Sequence, residues 1–156
     1  MRASRMPVTE PLAGEYDYAD AFGAAATDPD PRTPEEWIRS GVEQAPEILR
    51  RVIRLAQVHV LRLRLAPLDA PGHVLGWRVV TSTPEVARLE ARSSLLTGTL
   101  VARRVDAHAT VLTTALRFTR PAGRLTWVLV GPVHRAIAPR LVARAVRSAQ
   151  TTGLGR

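Results

Sequence analysis

The sequence predicts an α+β fold: an antiparallel β-sheet covered by a long carboxy-terminal α-helix, with two short helices after the first strand. Three observations predict it. Two short amphipathic stretches between Thr33 and Leu55 meet at a proline, period-two alternation recurs from His73 to about Leu129, and apolar residues fall every four positions after Pro132. A sheet with one dry face must have that face covered, and the terminal helix is the long amphipathic element available to cover it.

At 46% hydrophobic and 23% charged, the 156 residues suit one domain that closes a core without disulfides or a structural metal. Cysteine is absent, which excludes disulfide frameworks, thiolate metal sites and cysteine nucleophiles. No window approaches the ~18 uninterrupted apolar residues of a membrane span, and the amino terminus lacks an apolar leader core, so a cytoplasmic location is expected. All 22 basic residues are arginine. Residues 1–47 hold ten acids against four arginines, and the remainder four acids against eighteen arginines. An acidic first third thus precedes a strongly basic remainder. Because the arginines are spread singly and no nucleic-acid-binding signature accompanies them, they read as a solvated face and no nucleic-acid partner is expected.

Residues 1–14 carry two prolines and no periodicity, which predicts a disordered tail before a single domain over residues 15–150; residues 151–156 predict a second tail. Tyr16, Tyr18 and Phe22 share the even spacing of a half-buried strand, and Asp28-Pro-Asp-Pro-Arg32 ends it. Thr33-Pro34-Glu35-Glu36 is a capping box: threonine at the N-cap, proline at the first helical position, and a glutamate whose side chain returns to the cap amide. Trp37, Ile38, Gly41, Val42 and Ala45 form the apolar stripe that follows. Pro46 divides this helix from a second one carrying Ile48, Leu49, Val52, Ile53 and Leu55. Residues 57–66 fit either a continuation of that helix or a strand.

From His73 the pattern is strand-like. Leu75, Trp77 and Val79 share one parity; Ala87, Leu89 and Ala91 oppose Arg88, Glu90 and Arg92. A third strand spans about Thr97–Val105 with unclear parity. The fourth places Thr110, Leu112, Thr114, Leu116 and Phe118 on one side. Pro121-Ala-Gly123 reads as a turn, and Leu125, Trp127 and Leu129 as a fifth strand ended by Gly131-Pro132. Val133, Ile137, Leu141 and Ala145 then mark the terminal helix, with Pro139 near its start.

Several words of this chain resemble the START-like, or helix-grip, superfamily that includes polyketide cyclase/dehydrase-like proteins (SRPBCC), and in particular an uncharacterised actinobacterial group within it. They are Thr33-Pro-Glu-Glu-Trp37, His73-Val-Leu-Gly-Trp-Arg-Val-Val80, Thr83-Pro84 with Leu89-Glu-Ala91, Leu112-Thr-Thr-Ala-Leu-Arg-Phe118, and Trp127 through Pro132-Val-His134 to Pro139. The likeness covers roughly residues 15–148, and its words are mostly structural. It implies a helix-grip fold, a curved antiparallel β-sheet wrapped around the long carboxy-terminal α-helix, with an elongated, largely apolar cavity between them. Laid on the dry positions, such a cavity would be lined by Trp77, Leu89, Leu112, Thr114, Leu116, Trp127, His134 and Ile137. Fold alone leaves the ligand open.

No catalytic residue is assigned from the sequence. His59, His73, His108 and His134 share no metal-ligand spacing, so neither metal nor cofactor is expected. His134 stands out because the pattern places it where the last strand meets the helix, beside the cavity, and imidazole titrates near neutrality. Glu90 would enter the cavity only if its strand were read one residue out of register. Ser93 and Ser94 lack a glycine-flanked elbow, and Gly153-Leu-Gly155 is too short for a phosphate loop. The leading expectation is binding of a hydrophobic or amphipathic small molecule. The alternatives are a cyclase/dehydrase-type enzyme in which His134 or Glu90 moves protons, and a protein-interaction module; a homodimer is also left open.

Overall fold

All but the last of the period-two segments pair as one antiparallel sheet. The computed structural model describes residues 2–12 and 14–153. Its strands are β1 (Ser4–Met6), β2 (Tyr18–Ala25), β3 (His73–Val74), β4 (Trp77–Ser82), β5 (Val86–Arg92), β6 (Leu96–Arg104) and β7 (Ala109–Phe118); its helices are α1 (Pro34–Glu43), α2 (Glu47–Leu55) and α3 (Pro121–Gly153). The sheet order is β1-β2-β7-β6-β5-β4-β3. After β2 the chain crosses to the far edge by way of α1 and α2 and returns as a meander, so β7 closes against β2 with Tyr18 opposite Leu116. The sheet is curved, and α3 packs on its concave face.

The capping box forms with both bonds: Glu36 N–H donates to Thr33 Oγ1, and Thr33 N–H to Glu36 Oε2 at 2.7 Å. Pro46 separates α1 from α2 as its missing N–H requires. The undecided stretch 57–66 is neither a regular helix nor a strand. The helix widens to π geometry over Ala56–Val60, Arg62 takes a left-handed φ of 55°, and Leu61 and Leu63 drop into the core. Between β3 and β4, Leu75 and Gly76 both have positive φ, a type I′ hairpin turn. Leu75 is therefore a turn residue, and Val74 and Trp77 are the buried pair instead.

The largest departure from the sequence pattern lies at residues 121–131. The expected turn and fifth strand are the first three turns of α3, which is 33 residues long and contains Pro132 and Pro139. Pro121 is the first helical residue, where a missing N–H costs nothing. Gly123 is required there because a Cβ would lie 2.3 Å from the Leu95 carbonyl oxygen. Pro132 falls on the exposed face, as does Val128, whose carbonyl the proline leaves without its helical donor.

The core lies between the concave face and the helices: Phe22, Trp77, Leu89, Leu96 and Leu116 pack with Trp37, Ile38, Val142 and Val146. Gly41 of α1 meets α3 so closely that a Cβ would stand 2.9 Å from that of Ala145. The first residues are not a bare tail. β1 pairs with β2, and Glu10 forms a bidentate ion pair with Arg103 at 2.6 and 2.7 Å. Val101, Thr113 and Ala115 are buried on this convex side, which resolves the parity of β6: Leu96, Gly98, Leu100 and Ala102 face inward, and Val101 faces out. Of the tail expected at 151–156, residues 151–153 continue α3, and 154–156 lie outside the described residues.

Candidate functional site

Sheet curvature and the length of α3 leave a cavity of about 150 Å³ between them. Each of the eight residues named from the sequence stands on its wall. Trp77 comes from β4, Leu89 from β5, Leu112, Thr114 and Leu116 from β7, and Trp127, His134 and Ile137 from α3. Two of them arrive differently from the sequence reading. Trp127 and His134 sit on one helix seven residues apart, not on a strand and at its end, because the fifth strand does not exist. The lining residues Ile53 and Gln57, from α2 and its π extension, and Val133 of α3 are themselves part-exposed, and we take the mouth to lie between them. Trp37, Leu61 and Leu100 complete the wall.

At one end the apolar lining meets a polar cluster. Asp20 of β2 is 1% exposed, and its carboxylate accepts from Tyr18 Oη at 2.5 Å and from His134 Nε2 at 3.0 and 3.2 Å. Burial pushes the Asp20 pKa up, but the hydrogen bond and charge of His134 and the Tyr18 hydroxyl outweigh it and hold the carboxyl below its usual value. For Tyr18, burial and the bond to Asp20 act together to raise the phenol, against the neighbouring Arg135. Trp127 packs edge-on to Tyr18 at 4.9 Å between ring centres and against the His134 ring at 5.2 Å. With Nε2 committed to Asp20, His134 Nδ1 has no partner among the described residues. A carboxylate behind an imidazole fixes the ring's orientation and its tautomer.

Two further polar groups on the wall are unpaired. The indole N–H groups of Trp77 and Trp127 are buried without an acceptor, a state that costs about 1–3 kcal/mol for each group. The Trp77 ring lies over Gly98, where a Cβ would be 2.8 Å from it. Thr114, 4% exposed, adds a hydroxyl on the dry face of β7.

The remaining candidates lie elsewhere. Glu90 points away from the cavity, toward Arg78, Arg88 and Arg92 at 3.5–3.8 Å. His73 Nδ1 bonds the Pro71 carbonyl, and Ser93 Oγ accepts from the Leu95 and Leu96 amides in a turn. Among the described residues, no three His, Asp or Glu side chains come together to hold a metal, and no helix is long and apolar enough to cross a membrane. Asp20 is the residue that sequence reasoning missed. Its signal was present: an acid between Tyr18 and Phe22 occupies the dry parity of its strand, where a charge requires a partner. No family model, curated protein or solved structure matches this chain.

Proposed function

We propose that the protein binds a hydrophobic or amphipathic small molecule between the sheet and α3, in the manner of a START-like helix-grip protein. The observation that carries this reading is the apolar cavity of about 150 Å³ lined from both layers. The resemblance of the sequence to that superfamily supports it independently. Burial on such walls contributes about 25 cal/mol per Å² of apolar surface. A dry apolar space of this size accepts a benzene-sized molecule, so a longer ligand extends through the mouth or displaces α2, which has no buried residue to hold it. The unpaired indole N–H groups and Thr114 favour a ligand bearing an oxygen acceptor over a pure hydrocarbon.

Octanol is a suitable probe because Trp37, Trp77 and Trp127 all line the cavity. Its titration should change tryptophan fluorescence saturably and raise the melting temperature, by the equivalent of about 2.7 kcal/mol at a hundred times Kd. Leu112→Trp, which fills the space, should remove both responses while the protein stays folded. No saturable response from the unmodified protein sinks the reading.

The Asp20–His134 pair favours a second reading, a cyclase/dehydrase-type enzyme in which His134 moves protons on a bound chain. Ring opening of nitrobenzisoxazole reports a base in an apolar site: the base takes the carbon-bound proton, the N–O bond breaks, and a nitrile and a phenolate result. Saturable turnover faster than that of free imidazole, lost in His134→Gln, would support this reading. A rate no greater than imidazole's would overturn it.

A further inference from the structure

Two rows of exposed apolar side chains lie on helices that also line the cavity. On α3, Leu125 and Leu129 are 69% and 72% exposed, with Val128 beside them, and the row continues one turn on into Val133 and Ile137, which line the cavity. On α2, Ile48 and Leu55 are 71% and 60% exposed and flank Val52, while Ile53 of the same helix lines the cavity. Single exposed leucines are ordinary on a protein surface. Two rows on the two helices that line one side of a cavity are not.

The charge around these rows is predominantly positive, although Arg124 pairs with Asp17 at 3.8 Å and one Arg54 nitrogen is buried. α3 carries Arg124, Arg135, Arg140, Arg144 and Arg147 and no acid. α2 carries Arg50, Arg51 and Arg54 against Glu47, which pairs with Arg51. On a helical projection the apolar residues of α2 fill one sector and its arginines the other, the pattern of a helix that lies in an interface. A second copy of the chain docking through the same face would set arginine against arginine, whereas anionic headgroups supply the opposite charge.

We infer that this rim docks on an anionic lipid bilayer, with Ile48, Val52, Leu55, Leu125 and Leu129 entering the headgroup boundary and the cavity mouth turned toward the membrane. The inference stands on surface residues outside the cavity, so it survives or falls independently of octanol binding.

The test is flotation of the full chain with vesicles of phosphatidylcholine alone or mixed equally with phosphatidylglycerol. The protein should float with the mixed vesicles, and partition should fall as salt rises. Leu129→Gln and Ile48→Gln should each weaken partition by about tenfold, with the melting temperature and octanol response retained. Arg50→Gln should weaken it on the mixed vesicles by about fivefold. Three results would overturn the inference: no flotation with mixed vesicles, flotation unchanged by Leu129→Gln and Ile48→Gln together, or concentration-dependent dimerisation abolished by those substitutions, which would assign the face to a second copy.

Discussion

The two halves of α3 are built on opposite principles. From Ala138 to Ser148 the helix is a packing element: Ala138, Val142, Ala143, Ala145, Val146 and Ser148 are buried. Small residues let α1 approach there, and Arg32 clamps the contact, donating to Asp30, to Ser40 and Ser148 Oγ and to the Ala145 carbonyl. From Pro121 to Ile137 the same helix buries little beyond Gly123, Trp127 and Gly131, turns leucines to solvent, and meets the sheet through the Asp20–His134 bond. One half anchors the fold, and its Ala138, Leu141, Val142 and Ala145 also close the cavity; the other holds the polar pair and carries the exposed leucines. Helix packing and the polar end of the site are thus carried by different stretches of one helix, and substitutions should separate them.

The largest effect is expected at Gly41→Val. Its Cβ would collide with the Ala145 Cβ and the Leu141 carbonyl oxygen, backbone and near-backbone atoms that cannot swing aside. Separation of α1 from α3 should cost about 3 kcal/mol in urea denaturation. A loss below about 1 kcal/mol would mean that the anchored half is not anchored there. Next comes Arg32→Ala. Asp30 is 8% exposed, and burial alone would raise its pKa, but the hydrogen bonds and charge of Arg32 bring it below the usual value. Removing the guanidinium strands that carboxylate, at a cost of about 2 kcal/mol after allowance for the part-exposed arginine. Arg32→Lys should recover only part, because a point charge cannot reproduce the fork.

The same division explains what could be read from the sequence. The anchored half obeys the helical rule that apolar residues face inward, so Leu141 and Ala145 mark it plainly. The capping box at Thr33 and the alternation of Ala87, Leu89 and Ala91 were legible for the same reason, since local chemistry and burial agree there. The first half breaks the rule. Leu125, Val128 and Leu129 face water while Trp127 and Val130 face the sheet, so the segment is apolar all round and its period cannot be told from a strand. The proline at position 121 was the surviving helix signal, and the glycine at 123 obscured it. Inward-facing positions on β5 and β7 followed from parity, and the resemblance supplied the cavity they line. Asp20 did not, because its meaning depends on His134, 114 positions away in the chain.

Asp20→Asn tests the other half and should cost less, about 1–2 kcal/mol at neutral pH, since one hydrogen-bonded contact is weakened while the packing remains. The pH dependence is the sharper reading. The folded-state pKa of Asp20 is lowered, so the carboxylate's stabilisation is complete above the unfolded carboxyl value and disappears as pH falls through the folded one. Denaturation series from neutral to acid pH should therefore converge for the parent and Asp20→Asn at the acid end. The fall on acidification should be shallower in the variant, with Asp30 supplying part of what remains. A constant offset between the two curves at every pH would show that the aspartate is packing as a neutral group.

Leu129→Gln should have the smallest effect on stability. The side chain is 72% exposed and faces neither the sheet nor the cavity, so folding withdraws little of its surface from water, and glutamine sustains a helix nearly as well as leucine. The change should lie within about 0.5 kcal/mol, against the 2–5 kcal/mol that truncating a buried leucine costs. A clear loss of stability on this substitution, in a dilute sample, would mean that the leucine is covered when the protein is free. The first half of α3 would then be a packing element after all, and its contrast with the second half would disappear.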